Sequence, residues 1–542
     1  MSLAFEHLVI LPILLPLATA ALMVPLDERR RPLKAVIAVV STLGTLGIAL
    51  ALLSFADAQA PGAGGAVYLL GNWPAPFGIV LVADRLSALM ITLASIVVLA
   101  ALVFSIARWQ SAGSHFHSLL QFQLAGLNGV FLTGDLFNLF VFFEVLLAAS
   151  YGLVLHGSGV LRVKASLHYI AVNLAASALF LIGVSLIYGA TGTLNMADLA
   201  ARIPTVADSE RMLLEAGAAI LGIAFLVKAG MWPLCFWLPG TYSVVAPPVA
   251  AMFSIMTKVG IYVIVRLWPL LFGAEAGASA YFAGDWLLVG GIATVVFGAL
   301  GLLASQDLAR LASFNVLVSS GTLLAVVAVG NATVTGGALF YLVISTLAIS
   351  AFFLLIELIE RGRIAGADVL AVTAEALGDD EDEEEVEPVG IAIPATMAML
   401  GVGFAACALL LAGMPPLAGF IAKFLMMDAM LGSTAADAAP DATTWTLLAL
   451  LLLSGLAVMV AMMRTGIRVF WVPIESMVPT VRFLEMLPIV VLLSLCVALT
   501  AKAGSAARYL QATAEGLYSP QAYMKSVLTA PRVERTEAEG GS

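Results

Sequence analysis

About fourteen stretches of this 542-residue chain run for some 20 residues with few polar interruptions. That is the length a helix needs to cross the roughly 30 Å hydrocarbon core of a bilayer. Within lipid every backbone N–H and C=O needs a partner in its own segment, and a continuous apolar run meets that demand as a helix. The spans lie near residues 5–26, 34–55, 80–106, 117–134, 136–156, 166–190 and 213–238 in the first half. The second half gives 243–270, 281–303, 308–330, 333–359, 391–431, 443–465 and 483–503. Composition agrees: 61% of residues are hydrophobic and 11% charged, where a soluble domain has about a quarter charged. The expectation is an all-α polytopic membrane protein of about 14 transmembrane helices, packed in one plane as one body.

Basic residues orient such a chain, because Lys and Arg accumulate in cytoplasmic connections. Connections after odd-numbered spans hold Arg29, Arg30, Arg31, Lys34, Arg108, Arg162, Lys164, Arg310, Arg361, Arg363, Arg464 and Arg468. Those after even-numbered spans, up to the thirteenth, hold only Arg202 and Arg211. The odd connections are therefore assigned to the cytoplasm and both termini to the other side. Lys502, Arg508, Lys525, Arg532 and Arg535 in the tail pull mildly the other way. The first span opens with Glu6 and has no basic stretch before it, so it reads as retained. Cys235, Cys407 and Cys496 lie far apart in apolar runs, with no metal or disulfide spacing. The net charge of -10 owes much to the acidic run 379–387, which reads as a self-repelling solvated loop within 361–390.

Four ionisable side chains fall deep inside these spans: Glu144, Lys228, Lys258 and Lys423. A charge near the bilayer centre costs roughly 2.5–3.5 kcal/mol even on insertion scales, so such residues are kept where they line an ion or proton path. The three basic ones are all Lys, which gives up its proton in a dry site far more readily than Arg. The bland alternative for Glu144 and Lys228 is a fixed salt bridge joining helices. Lys258 and Lys423 have no obvious carboxylate partner.

Two spans carry the same interruption. Ala229-Gly230-Met231-Trp232-Pro233-Leu234 breaks the seventh and Ala412-Gly413-Met414-Pro415-Pro416-Leu417 the twelfth, about 183 residues apart. Proline removes a donor and clashes with the preceding turn, and the freed backbone survives in lipid only against protein or a wet cavity. Matched breaks in two halves of a chain point to a translocation site at their interface. Five helices separate the breaks, and an odd number reverses topology. The expected division is 1–110 for spans one to three, 111–270 and 271–470 as two inverted five-helix repeats, and 471–542 for the last span and tail.

Several stretches resemble one family: Leu136–Tyr151 (LFNLFVFFEVLLAASY), Phe225–Gly240 (FLVKAGMWPLCFWLPG), Ser254–Gly260 (SIMTKVG), Ala304–Arg310 (ASQDLAR) and Gly413–Phe424 (GMPPLAGFIAKF). They are similar to the proton-translocating subunits shared by Mrp-type cation/proton antiporters and respiratory complex I. Lys423, where complex I subunits of the middle type usually carry Glu, and Tyr242–Pro248 look like the D-type antiporter subunits. The resemblance implies that Glu144 pairs with Lys228 and that Lys258 and Lys423 continue a proton row at mid-membrane depth. Burial disfavours the charged form of either partner and a neighbouring opposite charge favours it, so moving Glu144 away from Lys228 would push a proton onward. One departure stands out: Val318-Ser319-Ser320-Gly321 lacks the His often found there in complex I relatives, which argues against a relay at that point.

The resemblance further implies a hetero-oligomer in a bacterial plasma membrane, exchanging H⁺ against Na⁺ or K⁺. No cofactor, metal or nucleic acid is implied. The alternative is a pumping subunit of a redox-driven complex, which would use the same lysines. A solute permease is disfavoured by the lack of a polar cluster lining a cavity. Lesser candidates are His168, which could open a proton path from the cytoplasm, and Asp84-Arg85, read as an interfacial anchor. Asp307 and Arg310 are expected to pair across one turn. Glu357 and Glu360 are expected to be solvated, and Glu485 and Asp428 could face neighbouring subunits.

Overall fold

The structure is a computed structural model that describes residues 7–59, 64–361, 395–432, 440–470 and 480–532. The acidic run 379–387 lies outside the described residues. Each of the fourteen expected segments contains a helix, and twelve helices are individually long and apolar enough to span. The N-terminal third holds α1 (Leu11–Met23), α2 (Arg31–Ala58), α3 (Arg85–Ile106) and α4 (Phe116–Leu132). Then come α5 (Leu136–Val154), α6 (Val160–Thr191), the short α7 (Met196–Arg202), α8 (Asp208–Ala229), α9 (Trp237–Tyr242) and α10 (Pro247–Phe272). The remainder is α11 (Gly284–Ala304), α12 (Leu308–Val327), α13 (Ala332–Glu360), α14 (Ala395–Ala412), α15 (Ala418–Gly432), α16 (Ala442–Phe470) and α17 (Phe483–Ala501). Two further helices, α18 (Ala503–Leu517) and α19 (Gln521–Leu528), form the tail.

Burial sorts apolar helices that composition alone cannot separate. The most apolar windows of α10, α12 and α13 are 94%, 89% and 100% buried within the chain, whereas those of α11 and α17 are 33% buried. The first three form the centre; the others leave most of their side chains on the outside of the chain. Polar residues stitch the periphery. Pro16 cannot donate to the carbonyl of Pro12, and Asn128 Nδ2 takes that carbonyl at 2.8 Å.

The third span begins later than expected. Residues 80–83 form a strand, β2 (Val80–Ala83), paired antiparallel with β1 (Ala66–Leu69). Asp84 then caps α3, accepting from Ser87 N–H at 2.9 Å, and forms a bidentate ion pair with Arg266 of α10, one limb 2.8 Å long. The expected interfacial anchor is thus an interhelix pin. Arg85 instead holds the end of α2, donating to Ala56 O at 3.2 Å.

The tail folds back over this face. Tyr509 O–H donates to Arg85 O at 2.8 Å, Ser526 O–H to Gly64 O at 3.1 Å, and Gln521 to Glu275. Tyr518 meets Thr335, at the start of α13, at 3.1 Å. The tail therefore lies on the face carrying the connections after α2 and α10. At the opposite face three expectations fail. Glu357 is not solvated: its side chain is 14% exposed and pairs with Arg361. Glu485 does not face outward: it is 1% exposed and bound by Arg361 at 2.9 Å, which also meets Glu357 at 3.2 Å. Asp307 makes no ion pair with Arg310; its carboxylate caps α12 through Ala309 N–H at 3.1 Å.

Candidate proton-translocation site

Both breaks are built the same way. At the first, Gly230 takes a left-handed conformation (φ 71°), Gly230 N–H bonds Val227 O, and Met231 N–H reaches back to Leu226 O at 3.0 Å. At the second, Gly413 has φ 73° and Met414 N–H bonds Leu409 O at 3.0 Å. This is the glycine-terminated helix end in which backbone donors past the last turn satisfy its carbonyls. The shared A-G-M is therefore a stop signal for a helix inside the membrane. Pro233 and Pro415-Pro416 follow each stop and prevent the helix from resuming at once.

The carbonyls left over are used differently. Trp237 Nε1 donates to Val227 O at 3.2 Å, and Trp232 N–H donates to Thr294 Oγ1 at 2.8 Å. At the second break the partner is a candidate residue: Lys423 Nζ donates to Ala412 O at 3.0 Å and to Leu451 O at 3.4 Å. Two glycines make room for that amine. A Cβ at Gly455 would lie 2.9 Å from Lys423 Nζ, and one at Gly413 would lie 2.6 Å from Lys423 Cδ. Gly413→Ala should therefore destabilise by at least about 1–2 kcal/mol from the left-handed backbone alone, and thermal unfolding of the purified complex measures it.

Lys228, 9% exposed, sits two residues before the first stop. Its amine donates to Asn173 Oδ1 of α6 at 2.9 Å and lies 5.7 Å from the ring centroid of Phe143. The direct Glu144–Lys228 pairing that the resemblance implied is not formed. The buried Oε1 of Glu144 has no hydrogen-bond partner. Phe143 packs on Phe180 and Phe225, and those two pack edge to face, giving the pair a dry aromatic wall.

Lys258 is fully buried and donates to Ser319 Oγ of α12 at 2.6 Å. Ser319 O–H in turn donates to Ser345 Oγ of α13 at 2.9 Å. One turn before Lys258, Ser254 meets Ser350 at 2.6 Å. Ser319, within the run 318–321 that lacks the histidine, thus gives Lys258 a polar contact. Close helix approach brings the lysines into register. A Cβ at Gly260 would lie 2.7 Å from Ala229 N, so α8 and α10 touch backbone to backbone beside Lys228 and Lys258. Likewise Gly337 of α13 abuts Met426, three residues beyond Lys423.

The four residues therefore occupy one connected block of helices but three polar islands: Lys228 with Asn173, Lys258 with Ser319 and Ser345, and Lys423 with two carbonyls. Among the described residues no unbroken hydrogen-bond chain joins the islands. His168 is exposed on α6, its ring tilted against that of Phe236 at 5.3 Å. Sequence reasoning missed Asn173, Ser319 and Ser345. Asn173 could have been found as a lone amide in an apolar span, since intramembrane polar groups bond across helices; the serines carry no comparable signal.

The family described as NADH:quinone oxidoreductase/Mrp antiporter, transmembrane, matches residues 133–440. The chain is 62% identical over 532 residues to a probable K(+)/H(+) antiporter subunit of the D type from Rhizobium meliloti, covering 97% of this chain and 98% of that one. It is 34% identical to a D-type Na(+)/H(+) antiporter subunit of Alkalihalophilus pseudofirmus, covering 96% and 99%. It also superimposes on a chain of the Mrp complex from Dietzia sp. with a TM-score of 0.80 at 26% identity, covering 97% and 100%.

Proposed function

Because this chain belongs to the membrane family shared by NADH:quinone oxidoreductase and Mrp antiporters, we propose that it is the D-type, proton-translocating subunit of a hetero-oligomeric monovalent cation/proton antiporter. The observation that carries the reading is 62% identity along nearly the whole chain to a D-type antiporter subunit, together with three lysines buried in the block around the helix breaks. Protons would pass inward down their gradient in exchange for exported Na⁺ or K⁺. Crossing a potential of ~100 mV is worth roughly 2.3 kcal/mol per charge.

Within this reading the bundle consists of spans one to three, two inverted units over 111–270 and 271–470, and a final span with its tail. The tail face is extracytoplasmic, by the excess of basic residues on the other side. Lys228 is the switch. One amine has two competing acceptors, Asn173, which holds it in this structure, and Glu144, whose Oε1 is unoccupied by any bond. Movement between them alters the charge beside Lys228, and the proton passes toward Lys258 and Lys423. His168 marks where a path from the cytoplasm would open.

Ser319 supplies the hydrogen bond to Lys258, and a bond to a charged group contributes about 1.5–3 kcal/mol. Ser319→Ala should therefore slow exchange by roughly tenfold or more, read as the initial rate of pH-gradient collapse in vesicles. The function itself is tested with vesicles carrying the whole complex, with Na⁺ and K⁺ added separately. Exchange with at least one cation, lost when this subunit is left out, supports the reading; exchange unchanged by its omission overturns it.

A further inference from the structure

Beside the first helix break, α8, α10 and α11 enclose a groove of about 540 Å³ that no step of the proton row uses. Its walls are almost wholly apolar and include Ile223, Met231, Trp232, Ile264 and Val289. Several face away from the protein: Ile223 is 41% exposed, Trp232 44% and Val289 60%. The groove has a defined depth. Along α11 it runs from Ala283 at the tail face to Ala293, about ten residues or ~15 Å at 1.5 Å per residue. That is half of the roughly 30 Å hydrocarbon core, the length of one leaflet, and its inner end is the break at Met231–Pro233.

At the tail face a second cavity of about 510 Å³ adjoins the groove, and both have Trp268, Ala283, Trp286 and Leu287 as walls. The walls of the second cavity are also largely apolar, but two carboxylates line it, Asp285 and Glu275, which accepts from Gln521. Among the described residues that line it there is no Lys, Arg or His. Trp268 Nε1 donates to Phe282 O at 2.9 Å, which fixes the indole that forms the shared wall. An apolar slot one leaflet deep, joined at the interface to a cavity carrying two carboxylates, has the two-part chemistry of a phospholipid site.

We propose that this composite cavity holds one phospholipid of the tail-side leaflet, its acyl chain lying in the groove and a primary-amine headgroup, of the ethanolamine type, meeting Glu275 and Asp285. The charge complementarity selects the headgroup: an ammonium is attracted by two carboxylates, whereas an anionic headgroup would meet them with no cation to offset the repulsion. The acyl chain would end against Met231–Pro233, so the lipid would form one wall of the break that follows Lys228.

The test places a photoreactive diazirine amino acid at Val289 in the whole complex, in vesicles of phosphatidylethanolamine and phosphatidylglycerol in equal parts. The expected result is a phosphatidylethanolamine adduct, identified by mass, at least several-fold over phosphatidylglycerol. Ile223→Trp, which fills the groove from its lipid side, should abolish the adduct. E275Q with D285N should keep an adduct but erase the headgroup preference. An adduct with another subunit, equal capture of both lipids by the otherwise unaltered protein, or capture that survives Ile223→Trp each overturns the proposal.

Discussion

Lys228→Ala and Glu144→Ala should each abolish cation/proton exchange while leaving the complex assembled. In the proposed mechanism Lys228 is the buried proton carrier of the first unit, and proton-transfer groups contribute about 10²–10⁴ in rate, so residual exchange should fall at least a hundredfold. Neither loss should unfold the protein. Lys228 makes one side-chain hydrogen bond, to Asn173, and Glu144 Oε1 makes none, so little packing depends on them. Asn173→Leu provides a contrast. With its present acceptor gone, Lys228 should turn to Glu144, and exchange should slow without disappearing. Rates come from pH-gradient collapse in vesicles, and assembly from the subunits that co-purify. Normal exchange by either alanine variant would rule out the switch.

Asp84→Ala should destabilise the protein by about 3–5 kcal/mol, the typical effect of leaving one member of a buried ion pair alone. Arg266, 7% exposed, would keep only Tyr262 O–H at 3.3 Å and the ring faces of Tyr262 and Tyr523. Those contacts do not neutralise a guanidinium. Replacing both residues by Leu should recover most of the loss, because a well-packed apolar pair often matches a buried ion pair. The pH dependence has a definite sign. Burial by itself pushes the Asp84 carboxyl up, but the charge and hydrogen bonds of Arg266 outweigh it and hold the group below its ordinary range. A carboxyl depressed in the folded state gives its full stabilisation above the unfolded value of about 3.9 and loses it as pH falls through the lower folded value. Thermal unfolding should therefore show the same Asp84→Ala deficit at pH 5 and pH 8. A deficit that shrinks between those values would assign the stabilisation to another group.

The parts of the fold that hydropathy fixes were legible in the chain. All fourteen apolar segments contain helices, and both A-G-M breaks fall where the residues put them, since Gly and Pro act locally. The hairpin was not legible. Ala66–Leu69 and Val80–Ala83 are four residues each, too short for a period-two signal, and the second merges into the apolar run of α3. The tail helices were missed for the opposite reason: α18 is amphipathic and its apolar side finds a protein surface, a fate that hydropathy does not register. Pairings failed where the partner was remote or where the backbone competed. Glu485 turns inward because Arg361, 124 positions earlier, lies beside it. Asp307 satisfies a helix terminus in preference to the cation one turn on, as capping residues do. At the candidate site the ionisable residues announced themselves by their cost in lipid, but Asn173 and Ser319 became visible only when the helices were brought together.

The most direct test is Lys258→Met in the whole complex, with stability and exchange measured on the same preparation. Lys258 is fully buried and has a serine as its hydrogen-bond partner. Methionine keeps the bulk and removes the charge, a change that is commonly neutral or stabilising where a charge is buried without a counter-ion. If buried lysines carry the proton, the melting temperature should be unchanged or raised while exchange of both Na⁺ and K⁺ against H⁺ is abolished. Wild-type exchange by this variant would contradict a proton row through Lys258.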